Sequence, residues 1–563
     1  MPVPAPLVER AEAWLADDPD PATRAELEVI LAAGDEAELA ARFAGTLSFG
    51  TAGIRGPLGA GPMRMNEVAV RRTAAGLVAF LLARDGTGTR RRGVVVAHDA
   101  RHGSAQFARA IAGVVAGAGV PALALPGPIP TPVLAFAVRH LDAAAGVMVT
   151  ASHNPPADNG VKVYDGDGTQ ITSPTDTAIA AAMAAVDGVR WLPLGEPTAL
   201  GDEVLDAYLD AVVAVVAGVS ELGPVPLTAV RLVHTALHGV ATRPLLALFE
   251  RAGLPPPHVV AAQASPDPTF PTVAFPNPEE PGAIDLALVE ADRVGADAVL
   301  ANDPDGDRLA VAVRRDEAEG GWWVLTGDDL GVLLGDHVLA ATTGADRLVG
   351  TTVVSSPVLG LLAAEHGVEC VVTLTGIKWL MRAAAERPQK RLVFAYEDAL
   401  GYAIGDAVRD KDGLGAALAV ALLLGELRAK GETVASRLAR VHARHGLHAS
   451  AQWSVRMSGP DGAARARATV EHLVASPPTA VGDRRVTAID RPAPDVVVLS
   501  LDRGARVVVR PSGTEPKLKC YLHVALPAGA DAQAAEALAD LRHGLAAVLG
   551  LDPPGAGGPS AGP

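Results

Sequence analysis

Four short segments concentrate the residue types that phosphoryl or acid–base chemistry uses. In TASHNP, residues 150–155, Ser152 follows an apolar run and precedes His153. A serine at a strand end can act as a nucleophile or as a covalent phosphoryl carrier; the same residues also suit a capping serine before a proline turn. No G-x-S-x-G elbow surrounds it, which argues against serine-hydrolase geometry. In DPDGDR, residues 303–308, Asp303, Asp305 and Asp307 alternate with Pro304 and Gly306. Three carboxylates so spaced on a bent chain can converge on one hard cation. The run begins like an EF-hand loop, but LAVAVR follows at 309–314 where that loop needs its glutamate. A solvated acidic turn is the other reading; Arg308 favours the first, because a cation beside an aspartate cluster is common where a phosphoryl group meets a metal.

In RPSGTEPKLK, residues 510–519, Arg510, Ser512, Gly513, Thr514 and Lys517 bring hydroxyls, backbone N–H groups and cationic side chains into one turn. These are the parts of a phosphate cradle, or of a decorated turn. In AYEDALGY, residues 395–402, Glu397 and Asp398 lie among apolar residues. They could accept hydrogen bonds from hydroxyls or move protons, and an exposed acidic turn reads the same way. The chain holds only seven lysines within a Lys plus Arg total of 48, and five of them (Lys162, Lys378, Lys411, Lys517 and Lys519) fall in or beside these segments, LTGIKW and RDKDG. A compact ammonium with a tunable pKa can transfer protons where arginine cannot.

Such loops need rigid elements behind them. One pattern recurs three times, about 130 residues apart, as expected for related domains rather than a short-period solenoid. Each copy is an apolar strand, a polar loop, an Ala/Leu-rich helix and a second strand: from Val94 to PALAL, from Val230 to HVVAAQ, and from Arg347 to VECVVTLTG. A third strand follows each, ending in TASHNP, in DPDGDR or in YEDALGY. The alternation predicts parallel α/β sheets, and ligands of such sheets bind beyond the carboxyl ends of the strands. Three chemically different strand ends imply one central cleft. The expected layout is an N-terminal helical extension over 1–45, three related mixed α/β domains over 46–204, 205–318 and 319–445, a smaller C-terminal α+β domain over 446–552, and a disordered Pro/Gly-rich tail over 553–563.

Composition narrows the partners. A chain of 563 residues suits about three to five domains, and 20% charged residues suit an ordinary soluble protein. With 64 acidic residues the net charge is −16, which argues against sequence-independent nucleic-acid binding. The uncharged stretch Ala110–Val138 is long enough to span a bilayer, but five prolines, from Pro121 to Pro132, make it buried helix, strand and loop. No secretory leader pattern opens the chain. Two cysteines, Cys370 and Cys520, give no disulfide framework or zinc cluster. The expected location is the cytoplasm.

Taken in order, FGTAGIRG (49–56), TASHNP, DNGVKVY, LHGVATRP, PDPTFPTVAFPNPEEPGA, NDPDGDRLA, LTGIKW, YEDALGY, RDKDG and RPSGTEPKLK resemble the α-D-phosphohexomutase superfamily, which includes phosphoglucomutases, phosphomannomutases and phosphopentomutase-like members. The likeness is to its long branch. It implies four domains around a cleft and a mutase that moves a phosphoryl group between the 1- and 6-positions of glucose or mannose, through a phosphoserine and a bisphosphate such as glucose 1,6-bisphosphate. It implies Ser152 as the carrier; Mg²⁺ held by Asp303, Asp305, Asp307 and a phosphoserine oxygen; Arg308 and His153 beside the transferring group; Lys162 and Lys411 as acid and base; and Arg55 lining the cleft. Glu397, with Lys378 nearby, would bind the sugar, and Arg510, Ser512, Gly513 and Thr514 the distal phosphate. The expected partner is a small phosphosugar, with no nucleic acid or membrane, and the protein a monomer or homodimer. Many hexomutases carry Glu-x-Ser in the sugar loop; Ala399 stands here instead, which keeps a pentose 1-phosphate/5-phosphate mutase as the alternative. A serine-dependent metal phosphatase and an inactive sugar-phosphate sensor are the rival readings.

Overall fold

The computed structural model describes residues 3–50, 52–220, 230–315, 321–457, 461–512 and 517–551. Gly513 and Thr514 of the expected cradle, and the expected tail at 553–563, lie outside the described residues. Four sheets carry the fold. Three share one plan, in which a first strand is flanked by two parallel neighbours and an antiparallel strand lies beyond the third. In the first unit Val94–His98 pairs in parallel with Ala122–Pro128 and Ala145–Val149, and Asp158–Asp165 runs antiparallel outside the latter. In the second, Leu232–Thr235 takes His258–Val259 and Ala298–Asn302 as parallel neighbours, with Leu309–Arg314 antiparallel. In the third, Arg347–Thr352 lies between Glu369–Thr373 and Arg391–Glu397, with Gly401–Ile404 antiparallel.

The antiparallel return strand adds to the parallel pairing that the alternation predicts. A parallel pair needs a crossover of a dozen or more residues, whereas here only a short loop separates third and fourth strands, so the chain must reverse. That reversing loop is the chemical segment in every unit: residues 150–157, 303–308 and 398–400. The fourth unit is a six-stranded antiparallel sheet in the order Leu447–Arg456, Lys517–Leu526, Arg506–Pro511, Val496–Leu501, Arg484–Ala493 and Ala480–Val481, backed by helices Gly462–Ala475 and Asp531–Leu549. Together these make the expected mixed α/β fold. The N-terminal segment is three helices, Ala5–Asp17, Pro21–Ala33 and Glu36–Arg42, the second and third started by Asp20 and Asp35 side chains that accept backbone N–H bonds.

One buried apolar cluster, including Val133, Leu245, Leu300, Leu334, Phe394 and Leu418, runs through the first three units. The fourth has its own core around Val497, Val507, Leu522 and Leu545. It meets the third through Val354, Val496, Val498, Val508 and Tyr521, with Ser450 Oγ donating to Asp328 at 2.6 Å and Arg506 to the Ser355 carbonyl at 2.6 Å. Two glycines allow close approach between the functional loops. A Cβ on Gly327, which opens the helix Gly327–Ala341, would lie 1.8 Å from the Asp398 carbonyl oxygen; one on Gly413 would lie 2.3 Å from that of Arg308. Ala110–Val138 resolves into the end of a helix, a strand and most of another helix, and among the described residues no helix is long and apolar enough to cross a membrane.

Candidate active site

The reversing loops of the first two units meet. Ser152, buried and in the left-handed region at φ 52°, directs Oγ to Asp303 Oδ2 at 2.8 Å, with His153 Nδ1 at 3.2 Å. The three aspartates are fully buried, and one carboxylate oxygen from each lies within 4.8 Å of the others. Lys162, on the return strand after the serine loop, places Nζ 2.7 Å from Asp305 Oδ2 and 2.6 Å from Asp307 Oδ2. Lys411 approaches Asp307 from the third unit at 3.3 Å. Arg308 lies 3.8 Å from Asp307, and Arg55, on the edge strand Ile54–Pro57, donates to Asn154 Oδ1 at 3.1 Å. Glu397 is buried, and both it and Lys411 lie against Gly401, where a Cβ would come within 2.9 Å of either side chain.

Burial and mutual charge set the protonation of these groups. Burial, then the neighbouring carboxylates Asp305 and Asp307, pushes Asp303 well above the usual carboxylate range. Burial also works against the Asp305 charge, but Lys162 outweighs it and holds that carboxyl well below its ordinary value. For Lys162 and Lys411 burial opposes the charge and the aspartates win, so both hold their protons more tightly than a free lysine. Burial, then Arg308 and Arg55, keeps His153 neutral near pH 7.

The remaining expected residues sit around this centre. Lys378, in the helix Ile377–Ala385, is buried at the seam with the first unit, its Nζ 3.5 Å from the Ile171 carbonyl oxygen. Arg510, on the fourth sheet, donates to Tyr521 Oη at 3.1 Å and lies over that ring. The Ser512 N–H donates to the Lys517 carbonyl at 2.7 Å, closing the turn between the two strands.

Sequence reasoning missed several residues that hold the centre in place. Thr131 donates its hydroxyl to Asp305 Oδ2 at 2.7 Å and its N–H to the Asp305 carbonyl at 2.9 Å. Tyr164 donates to Asp410 at 2.5 Å and Tyr208 to Asp412 at 2.7 Å, gripping the carboxylates on either side of Lys411. Asp412 also caps the helix Gly413–Ala429. Arg101 spans the carbonyl oxygens beneath the serine loop. Only the two aspartates of RDKDG carried a local signal, flanking a scarce lysine. The result is a buried centre able to hold a cation and a phosphoryl group beside two ammonium groups.

Comparison with known proteins agrees. The chain matches the phosphoglucomutase/phosphomannomutase alpha/beta/alpha domains I, II and III over residues 46–189, 206–320 and 326–443, and the C-terminal domain of that family over 474–541. It is 40% identical over 504 residues to a Haemophilus influenzae protein named "Probable phosphomannomutase", covering 87% of this chain and 99% of that one. It is 32% identical to the phosphopentomutase of Mus musculus, covering 93% and 91% respectively. Its fold matches a crystal structure of a phosphoglucomutase/phosphomannomutase family protein from Burkholderia thailandensis with a TM-score of 0.67 at 22% identity, over 89% of this chain and 97% of the other. With all four family domains present in order, this chain belongs to the phosphoglucomutase/phosphomannomutase family and is a sugar-phosphate mutase.

Proposed function

We propose that the enzyme interconverts a hexose 1-phosphate and a hexose 6-phosphate, the hexose being glucose or mannose, through a phosphoserine at Ser152. The observation that carries this reading is the 2.8 Å contact between Ser152 Oγ of the first unit and Asp303 of the second, ringed by cations from three units. In the first transfer the bond from phosphorus to Ser152 Oγ breaks, and a substrate hydroxyl oxygen takes the phosphoryl group as it loses its proton. The bisphosphate, such as glucose 1,6-bisphosphate, then turns over. In the second transfer its other phosphoryl group returns to Ser152, and the sugar oxygen left behind takes a proton. Lys162 and Lys411 are the acid and base: both rest protonated beside the aspartates, so either can give this proton from Nζ, and the one that has given it can take the next. Arg308 and neutral His153 stand beside the transferring group, and Arg55 lines the cleft. Glu397 accepts hydrogen bonds from sugar hydroxyls, with Lys378 as a further sugar-binding residue, while Arg510, Ser512, Gly513 and Thr514 hold the phosphate that is not reacting.

The donor set fits Mg²⁺. It offers only oxygens, and Asp305 Oδ1 and Asp307 Oδ1 are buried with no hydrogen-bond partner. Asp303, Asp305 and Asp307 would hold the ion together with an oxygen of phosphorylated Ser152. The bound ion supplies positive charge that offsets repulsion between dianionic phosphates. The two free cysteines, Cys370 and Cys520, suit work in the cytoplasm.

A pentose 1-phosphate/5-phosphate mutase is the second reading, favoured by Ala399, which lacks the sugar-facing hydroxyl, and by the phosphopentomutase relatives. Turnover of glucose 1-phosphate, mannose 1-phosphate and ribose 1-phosphate, compared in one coupled assay, separates the two. Preference for ribose 1-phosphate would replace the hexose reading. Intact mass should show one labile phosphoryl group on the Ser152 peptide, and Ser152→Ala should lose nearly all turnover while remaining folded. Net release of inorganic phosphate in place of isomerisation would identify a phosphatase.

A further inference from the structure

Ser152 holds a backbone conformation that residues with a Cβ avoid. Such strain persists only where the surroundings over-determine it. Thr150 Oγ1 accepts the Ser152 N–H at 2.9 Å, and the carbonyl side is held by Arg101, which is 4% exposed and belongs to the loop after the strand Val94–His98. One terminal nitrogen donates to the carbonyl oxygens of Ser152 at 2.6 Å and Asn154 at 2.5 Å; the other donates to those of Pro155 at 2.8 Å and Asp158 at 3.2 Å. Three acceptors of the serine loop and one at the start of the return strand thus converge on a single planar fork. The fork is itself anchored: its Nε lies 3.5 Å from Asp99, whose other oxygen accepts the Ser104 hydroxyl at 2.6 Å. Its face lies over the ring of Phe270, 5.0 Å from the centroid. Phe270 belongs to the second unit, the one that carries the three aspartates.

We propose that Arg101 is a positioning residue for phosphoryl transfer, fixing the serine loop in register with the aspartate loop through Phe270. The inference rests on Ser152 as the carrier. Its terminal nitrogens meet backbone oxygens of the serine segment and its remaining contacts are Asp99 and Phe270, so it acts on the reaction through the loop. Lysine cannot replace it, because a single ammonium lacks two parallel donors and a flat face.

The test compares wild type with Arg101→Met, Arg101→Lys and Phe270→Leu. Steady-state kinetics, thermal midpoint and the time course of Ser152 phosphorylation by intact mass are followed, with glucose 1,6-bisphosphate as phosphoryl donor. Both Arg101 variants should lose about 10²-fold in kcat, the scale of an ångström-sized misplacement. KM should stay within about threefold of wild type, since no substrate contact is removed. Phosphorylation of Ser152 should slow in step with kcat. Phe270→Leu leaves the Arg101 donors in place and loses the stacked face, so kcat, measured well below both thermal midpoints because Phe270 is buried, should fall about 3–10-fold. If the Arg101 variants fail to fold, Phe270→Leu decides alone, and wild-type kcat there overturns the proposal. Wild-type kcat in either Arg101 variant, or a loss confined to KM, also overturns it. A wild-type enzyme turning over without phosphate on Ser152 would overturn the carrier reading as well, which separates the two failures.

Discussion

Replacing Lys162 by methionine isolates the charge at the centre of the site, because the stem is kept and the ammonium is lost. Lys162 is 2% exposed, and its Nζ touches two fully buried carboxylates at 2.6 and 2.7 Å. Removing one partner of a buried ion pair leaves an uncompensated charge and costs about 3–5 kcal/mol. For a unit of 150–250 residues each kcal/mol moves the midpoint by about 2–4 °C, so Lys162→Met should melt about 6–20 °C lower in chelator. Magnesium should restore much of this. An ion present at 100 times its dissociation constant stabilises by about 2.7 kcal/mol. Loss of the neighbouring ammonium deepens the negative potential at Asp305 and Asp307, so the ion binds the variant more tightly and stabilises it more than it does wild type. Thermal scans of both proteins in chelator and across a magnesium titration measure this directly, without recourse to activity. Equal midpoints in chelator, or a magnesium-induced rise no larger in the variant, would refute the account of Lys162 as the internal counter-charge of the aspartates.

Arg510→Lys should weaken both sugar phosphates and the bisphosphate together by about 1.5–3 kcal/mol, since lysine cannot copy two parallel bonds to one phosphate. Escape of bisphosphate, followed chromatographically during turnover, should rise; unchanged KM values with no extra release would reduce the segment to a structural turn. Asp412 is buried, and burial pushes its carboxyl up to about 6 from an ordinary 3.8. The folded protein therefore holds that proton more tightly than the unfolded chain. The stabilising share of this proton is complete below about pH 4 and is lost as pH rises through about 6, a change of about 3 kcal/mol. Asp412→Asn keeps an acceptor for the Leu414 and Gly415 N–H groups but does not titrate. Its thermal midpoint should therefore gain on wild type between pH 4 and 7, and parallel curves would refute the assignment.

The chemical loops were legible in the sequence because each is contiguous and unusual in composition. The threefold recurrence was legible because strand, helix and strand repeat at similar spacing. The sense of the fourth strand was not, since DNGVKVY reads as a motif until the shortness of the loop before it forces reversal. HVVAAQ was too generous a strand: only His258–Val259 pairs, and the 3₁₀ turn Ala261–Gln263 follows, where the Gln263 side chain meets Thr235 Oγ1 at 2.6 Å. The N-terminal helical segment hid two breaks, each marked by an aspartate cap. Thr131, Tyr164 and Tyr208 are ordinary residues in strands and helices, given a role only by partners 174, 246 and 204 positions away. Local spacing carries no information about such meetings.

Those separations also order events during synthesis. Ser152 must wait 151 residues for Asp303, and Tyr164 waits 246 for Asp410. At roughly 5–20 residues per second, the serine loop exists for about 8–30 s before its aspartate partner leaves the ribosome. Throughout that interval no three-aspartate cluster exists to organise phosphate chemistry around the lysine and serine. Lys162, Asp305 and Asp307 come from two units, so the burial of their opposite charges against one another requires both units. A chain halted before the second unit is complete therefore lacks the means to phosphorylate its serine, and it cannot hydrolyse a bisphosphate wastefully. The phosphoryl centre is complete only once the first three units have assembled, and the distal-phosphate cradle only with the fourth.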